Sequence, residues 1–192
     1  MSVAVTRRGV PVAAAVVEFT GGPRAWVTRR YAAAAGRGAS CNGAPLTLPP
    51  GANAELRRAL LVTGFGYDHG KDWEANMLLF KEFTDKCQGV RRLGAASVDL
   101  CHVALGVLDA YWEFQLKPWD MAAGALILTE AGGCVTKGDG APFSIFAKSI
   151  VASNGAIHAA VLDKVCPAVH ALRDDGFDLA DWFIPKGYDV TR

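Results

Sequence analysis

One acid in this sequence stands where it could do chemistry. The segment "LKPWDMAAGALILTEAGG" places Asp120 after a Pro-Trp pair and before a run of small and apolar residues. The run predicts a helix from about Asp120 to Ala131 that stops at Gly132 and Gly133, so the acid lies in the first helical turn. There its carboxylate can accept backbone N–H groups, the usual role of such an acid. It can also bind a hard divalent cation, and the two roles are compatible.

A second acid, Glu113, lies on the stretch "AYWEFQL", whose alternation predicts a strand. The two predicted faces consist of Trp112, Phe114 and Leu116 on one side, and Tyr111, Glu113 and Gln115 on the other. Exposed acids are common on alternating strands, so a solvated side chain is the first interpretation. A role for Glu113 in binding a ligand needs support from a wider pattern.

Strands and turns are predicted to fill the first third of the chain. A turn at Arg7 to Gly9 joins two strands, and Asn42-Gly43 suits a two-residue hairpin. The predicted strands there include Val10–Phe19 and Ala25–Arg30, and the apolar stretch 57–65 predicts a strand buried on both faces.

Helices are predicted to alternate with strands in the rest of the chain. The first runs from Asp72 to Cys87 with Asp72 as its N-cap, and its apolar stripe is Trp73, Met77, Phe80 and Phe83. A second helix starts in Gly94–Ser97 and buries Val98, Cys101, Ala104, Leu105 and Leu108, and a last one covers about Ala156–Leu172. Arg91 and Arg92 precede the second helix and could face either a phosphate or solvent.

This order of elements favours an α/β (α+β) fold in which helices pack on a mixed sheet. We predict one domain over residues 1–192, without a linker and with a peripheral tail at 174–192. The net charge of +1 supplies no basic stripe for nucleic acid. The five cysteines suggest neither a zinc site nor a disulfide framework. No apolar run reaches the ~18 residues of a membrane helix, so no membrane partner is expected.

Several segments together resemble the inositol monophosphatase family. "WDMAAGALILTEAGG" is similar to its C-terminal signature, "GRGASCNGAPL" to its glycine-rich hairpin, and "RRLGAASVDLCHVALGVLDAYWE" to its central substrate-side segment. The interval from Glu113 to Asp120 has the family spacing, and "TGFGYDHG" resembles a loop that borders the substrate. The resemblance covers Ser2 to about Val165. The tail, "FDLADWFIPKGY", resembles the plant and algal plastid branch most.

The resemblance implies a layered fold of mixed sheets and a Mg²⁺-dependent phosphatase that acts on inositol monophosphate or a related sugar phosphate. Asp120 matches a metal-binding aspartate of the family, and Glu113 matches the glutamate that accepts hydrogen bonds from substrate hydroxyls. Gly94, Ala95 and Ala96 match the segment along the substrate. The resemblance also implies a small-molecule phosphate monoester as partner, a homodimer in the full-length form, and a chloroplast location. The chain carries no transit peptide, so it would be cytosolic if it were complete.

Two upstream family motifs that supply the other metal ligands do not occur in this sequence. Glu18 and Glu55 are the only carboxylates in the first sixty residues, and neither lies in a comparable loop. A two-metal centre needs several converging carboxylates, so we expect an N-terminally truncated domain that is inactive alone. It could be a truncated gene model, a short isoform or a decayed copy. The alternatives are a non-catalytic form that pairs with a full-length subunit, or a relative acting on histidinol phosphate, galactose phosphate, fructose bisphosphate or phosphoadenosine nucleotides.

Overall fold

The computed structural model describes residues 1–21, 27–49, 52–179, 181–182 and 184–186. Two five-stranded sheets and four helices make up this part of the chain. One pair of helices lies between the two sheets and the other pair covers the outer face of the second sheet, as the membership of the two main hydrophobic clusters shows. The order of layers is therefore sheet, helices, sheet, helices.

The first sheet is an antiparallel meander of strands in chain order. Its strands are β1 (Ser2–Arg7), β2 (Val10–Thr20), β3 (Val27–Ala34), β4 (Ala39–Cys41) and β5 (Ala44–Leu46). The predicted turn after β1 and the Asn42-Gly43 hairpin are both present. Asn42 and Gly43 have φ values of 53° and 84°, the left-handed conformation that a two-residue hairpin of this type requires.

The second sheet is mixed and has the strand order β7-β6-β8-β10-β9. Its strands are β6 (Leu60–Thr63), β7 (Gly89–Arg91), β8 (Ala110–Phe114), β9 (Cys134–Thr136) and β10 (Ser149–Ser153). Strand β6 runs parallel to β7 and β8, whereas β10 runs antiparallel to β8 and β9. All five residues of β8 are buried because helices cover both faces of this sheet.

The four helices are α1 (Lys71–Lys86), α2 (Ala96–Ala104), α3 (Pro118–Glu130) and α4 (His158–Asp174). Helices α2 and α3 are the inner pair, and α1 and α4 are the outer pair. Every residue from Met121 to Leu128 of α3 is buried, which explains why this helix is apolar on all sides. No helix in the described ranges combines the length and the hydropathy that crossing a membrane would demand.

Two contacts fix α3 between its neighbours. A Cβ atom on Gly124 would lie 2.7 Å from Cβ of Leu100, so the glycine permits the close packing of α3 against α2. At the other end of α3, the carboxylate of Glu130 accepts hydrogen bonds from the N–H groups of Gly36 and Gly38, at 2.8 and 2.7 Å. The EAGG segment and the glycine-rich hairpin, which are far apart in sequence, therefore meet directly.

Three details of the predicted elements are wrong. The strand predicted at 57–65 is only β6, because Leu56–Arg58 form a 3₁₀ turn. Helix α1 has Gly70 rather than Asp72 as its N-cap. Its buried residues are Asp72, Asn76, Leu79 and Phe83, while Met77 is 39% exposed, so the buried face is rotated from the predicted stripe.

The strand predicted at Ala25–Arg30 starts among residues outside the described ranges, and the described part of β3 begins at Val27.

Candidate functional site

A pocket of about 1010 Å³ opens where β6 and β8 end and where α2 and α3 begin. Its lining includes all five residues that the sequence singled out, namely Gly94, Ala95, Ala96, Glu113 and Asp120. Strand β8 carries Glu113, and the chain then turns through Gln115, whose φ is 61°, before α3 begins. The sheet edge and two helix starts thus bring the predicted residues to one place.

Asp120 lies in the first turn of α3, as predicted. Its Oδ2 accepts a hydrogen bond from the backbone N–H of Lys117 at 2.9 Å, and Lys117 is the N-cap residue of this helix. The carboxylate therefore caps the helix and lines the pocket at the same time. The two roles proposed from the sequence are compatible in this geometry, because one oxygen serves the backbone.

Glu113 is buried rather than solvated, with 8% of its surface exposed. The hydroxyl group of Tyr111 donates a hydrogen bond to its carboxylate. Burial, with a smaller contribution from the negative charge of Asp120, raises the pKa of Glu113 to about 7, although the hydrogen bond from Tyr111 lowers it. The interpretation of Glu113 as an exposed strand residue is therefore wrong, and a buried acid that faces a cavity is a candidate for function.

Helix α2 starts at the pocket with a backbone that is open to a ligand. Gly94 has a φ of 83°. The N-cap residue of α2 is Ala95, whose methyl side chain cannot cap the helix. Gly94 and Ala95 are exposed and Ala96 is half-buried. The first N–H groups of a helix carry a partial positive charge, so this end favours an anionic group.

Asp99, one turn into α2, is a buried acid that the sequence reading did not single out. It is fully buried, and its two carboxyl oxygens accept no hydrogen bond of ordinary length and angle from the described residues. Burial, together with the nearby charge of Glu113, raises the pKa of Asp99 to about 7. A signal existed in the sequence, because Asp99 is the only acid in the mostly apolar segment Ala95–Leu105.

The loop that follows β6 forms another wall of the pocket, with Gly64, Phe65, Gly66, Tyr67, Asp68 and Gly70 in the lining. Thr63, at the end of β6, is buried beneath it and donates a hydrogen bond to the carbonyl oxygen of Trp112 at 2.6 Å. A Cβ atom on Gly64 would overlap the carboxylate of Glu113. The loop therefore approaches Glu113 as closely as a glycine allows.

Replacing Gly64 by alanine should therefore displace Glu113. We expect Gly64→Ala to lower the free energy of unfolding by about 1–3 kcal/mol, because the new methyl group overpacks a buried site. Urea unfolding followed by circular dichroism measures the loss. Gly66→Ala is the matched control in the same loop, since a Cβ atom there meets no atom within 4 Å. Equal losses in the two variants, or a loss that Glu113→Ala does not relieve in the double variant, would contradict the contact.

Charged side chains of both signs line the pocket. The cations are Arg92, Lys117 and Lys148, and the acids are Asp68, Asp72, Glu113, Asp120 and Asp178. Arg92 lies over the ring of Phe65 at 5.7 Å, whereas Arg91 is not part of the lining. Phe177, Asp178 and Trp182 belong to the tail that the sequence predicted to be peripheral.

The described residues fit a metal ion only in part. Nowhere in the described ranges do three or more His, Cys, Asp or Glu side chains come together as a possible metal site. Asp120 can offer a carboxylate oxygen, but a two-metal phosphatase centre requires several carboxylates. We therefore assign no catalytic step through a metal to this chain by itself.

Comparison with protein families identifies the family of this chain. The sequence model of the inositol monophosphatase family matches residues 1–171. The chain belongs to the inositol monophosphatase family. The matched region includes both helix starts, the β6 loop and two of the pocket acids, Glu113 and Asp120.

Individual members of the inositol monophosphatase family match over most of the chain. The chloroplastic phosphatase IMPL1 of Arabidopsis thaliana is 55% identical over 188 residues, which are 98% of this chain and 50% of the relative. Human inositol monophosphatase 1 is 34% identical over 149 residues, 77% of this chain and 53% of the relative. The chain thus spans about half the length of these relatives.

A solved structure confirms the predicted fold class. Inositol monophosphatase from Anabaena (Nostoc) sp. PCC 7120 superposes with a TM-score of 0.74 and 36% sequence identity, covering 86% of this chain and 63% of that one. The layered α/β architecture of an inositol monophosphatase is therefore present here. The resemblance of the tail to the plastid branch agrees with the extent of the Arabidopsis match.

Proposed function

We propose that this chain forms the substrate-binding part of a Mg²⁺-dependent phosphatase that acts on inositol monophosphate or a related sugar phosphate. The observation that carries the proposal is the convergence of Glu113, Asp120 and the start of α2 on one pocket. Membership of a family with relatives named as phosphatases supports the class of reaction.

Each of the five residues has a role that suits its surroundings. The ionised carboxylate of Glu113 would accept hydrogen bonds from ring hydroxyls, and such charge-assisted bonds contribute about 1.5–3 kcal/mol each. The open N–H groups at Gly94, Ala95 and Ala96 would lie along the ester and favour its phosphate group. Asp120 would give one oxygen to a Mg²⁺ ion, which when bound polarises a phosphoryl group and activates water.

The remaining metal ligands would have to come from residues that this chain does not supply. We therefore propose that the 192-residue chain alone does not hydrolyse phosphate esters. The names of its relatives favour a small phosphate monoester as substrate, since they include inositol-1-monophosphatase and a fructose-1,6-bisphosphatase/inositol-1-monophosphatase. We also propose a chloroplast location, which the chloroplastic Arabidopsis relative supports. For the longer form we propose a homodimer, as the resemblance to the family implies.

A chimera tests this proposal. Its sequence would join this chain to the part of the Arabidopsis relative that lies outside the matched region, in the relative's own order. We expect Mg²⁺-dependent release of phosphate from inositol monophosphate by the chimera and none by the 192-residue chain. Turnover by the chain alone would contradict the proposed division of ligands. A folded chimera without turnover on any sugar or inositol monophosphate would contradict the proposed activity.

A further inference from the structure

The C-terminal tail lies against the pocket and is tied to it at several points. Three backbone or side-chain contacts anchor it to the body of the fold. Lys137 forms an ion pair with Asp181 at 2.8 Å. The backbone N–H of Trp182 donates a hydrogen bond to the carbonyl oxygen of Phe146 at 2.7 Å. The indole N–H of Trp182 donates one to the carbonyl oxygen of Leu116, also at 2.7 Å. Leu179 is also buried in the outer hydrophobic cluster. The tail is therefore a packed part of the fold in this region.

Two lysines of the pocket wall are held by this tail. The ammonium group of Lys117 lies 3.0 Å from the centre of the Trp182 ring, and that of Lys148 lies 4.4 Å from it. The Nζ atom of Lys148 also donates a hydrogen bond to Oδ2 of Asp178 at 2.8 Å. These contacts are favourable cation–π and charge-assisted interactions.

The two lysines differ from ordinary surface lysines in position and burial. Lys148 is only 7% exposed, although it carries a charge. Lys117 caps α3 three residues before Asp120, so its backbone and the Asp120 carboxylate are joined by a hydrogen bond. Asp178 has a side chain that is 73% exposed, so this carboxylate lies at the outer edge of the pocket.

We propose that Lys117 and Lys148, positioned by Trp182, form an anion-binding rim of the pocket, and that Asp178 occupies this rim when no ligand is bound. The rim would bind a phosphate-class anion, and the Asp178 carboxylate would compete with it for Lys148. The inference rests on the proposed function in that it takes the pocket to receive a phosphate ester.

The tail and the rest of the rim differ in how the sequence matches cover them. The family model ends at residue 171, so Asp178 and Trp182 lie beyond it. The Arabidopsis chloroplastic relative matches 98% of the chain, so its match extends into the tail. The rim thus joins two lysines of the family region to tail residues that lie outside it.

Titration with inorganic phosphate tests the rim without any need for turnover. The purified 192-residue chain would be titrated, and binding would be followed through the indole N–H resonance of Trp182, assigned by comparison with Trp182→Phe. We expect Lys148→Gln to weaken phosphate binding about tenfold or more, because it removes a charge-assisted hydrogen bond. We expect Asp178→Asn to strengthen binding several-fold, because the competing carboxylate is neutralised.

The control is Lys164→Gln, which removes a lysine of α4 that is paired with Glu82 at 3.5 Å and does not line the pocket. This control should leave phosphate affinity unchanged. Equal affinities in Lys148→Gln and the control, or weaker binding by Asp178→Asn, would overturn the rim. The proposed function can fail independently of the rim. If the chimera is inactive but phosphate binding still depends on Lys148, the proposed phosphatase activity is contradicted and the proposed rim is not.

Discussion

Replacing Asp99 by asparagine should make the 192-residue chain relatively more stable as the pH rises from 4 to 8. Between pH 4 and pH 8, the free energy of unfolding of the unaltered chain should fall by up to about 4 kcal/mol more than that of Asp99→Asn. The cause is the fully buried carboxyl group of Asp99, whose charged form loses its contact with water on folding.

The direction follows from proton binding. The pKa of Asp99 is about 7 in the folded protein and starts from an ordinary value of 3.8. Between these values the folded state keeps a proton that the unfolded state has lost, so the stability of the unaltered chain falls as the pH rises. The loss is complete above the folded-state pKa. Asparagine cannot ionise, so the variant escapes this part of the loss at every pH.

Urea unfolding at pH 4, 6 and 8 measures the effect as a difference between the two proteins. The amide of asparagine leaves polar atoms in the same buried position, and their free-energy cost does not change with pH. The change in the stability difference with pH therefore reports only the ionisation of Asp99. Asp163→Asn is the control, because Asp163 is an exposed acid of α4. Parallel stability curves for Asp99→Asn and the unaltered chain would show that Asp99 does not keep its proton on folding.

Changing Asp120 to asparagine in the chimera should lower Mg²⁺-dependent turnover by a factor of about one hundred or more. Weakening even an outer partner of a metal ligand commonly costs 10–100-fold, and Asp120 is proposed as a ligand itself. An asparagine oxygen can still accept the hydrogen bond from the N–H of Lys117, so the start of α3 should remain intact.

The same assay separates loss of chemistry from loss of fold. The thermal unfolding midpoint of Asp120→Asn should stay close to that of the parent chimera, and Asp163→Asn should keep full turnover. A variant at Asp120 that retains most of the activity would remove this residue from the proposed metal site. The cap would then be its only function.

The local sequence was sufficient to predict most elements that position the site. The Asn42-Gly43 hairpin and the α3 segment between Asp120 and Gly132 have patterns that only a few backbone conformations satisfy. The spacing from Glu113 to Asp120 spans the end of one strand and the start of one helix, so it fixed both acids near the same edge of the sheet. For α1 the stripe was misplaced, because the polar residues Asp72 and Asn76 occupy its buried face.

Residues that act through distant contacts could not be predicted in the same way. The burial of Glu113 depends on Tyr111 and on the close approach of Gly64, and only the layered fold brings that loop into place. Asp99 is buried because α2 lies between the two sheets. The tail has no periodic pattern, so nothing local predicted that Trp182 would reach Lys117 and Lys148.

The location of a bound divalent cation tests the account most directly. Crystals of the chimera would be prepared with Mn²⁺ in place of Mg²⁺ and with inorganic phosphate, and anomalous diffraction would locate the metal. We expect a manganese peak within coordination distance of the Asp120 carboxylate, in the pocket that Glu113 and Gly94 line. A peak elsewhere, with Asp120 bonded only to the backbone of its own helix, would contradict it.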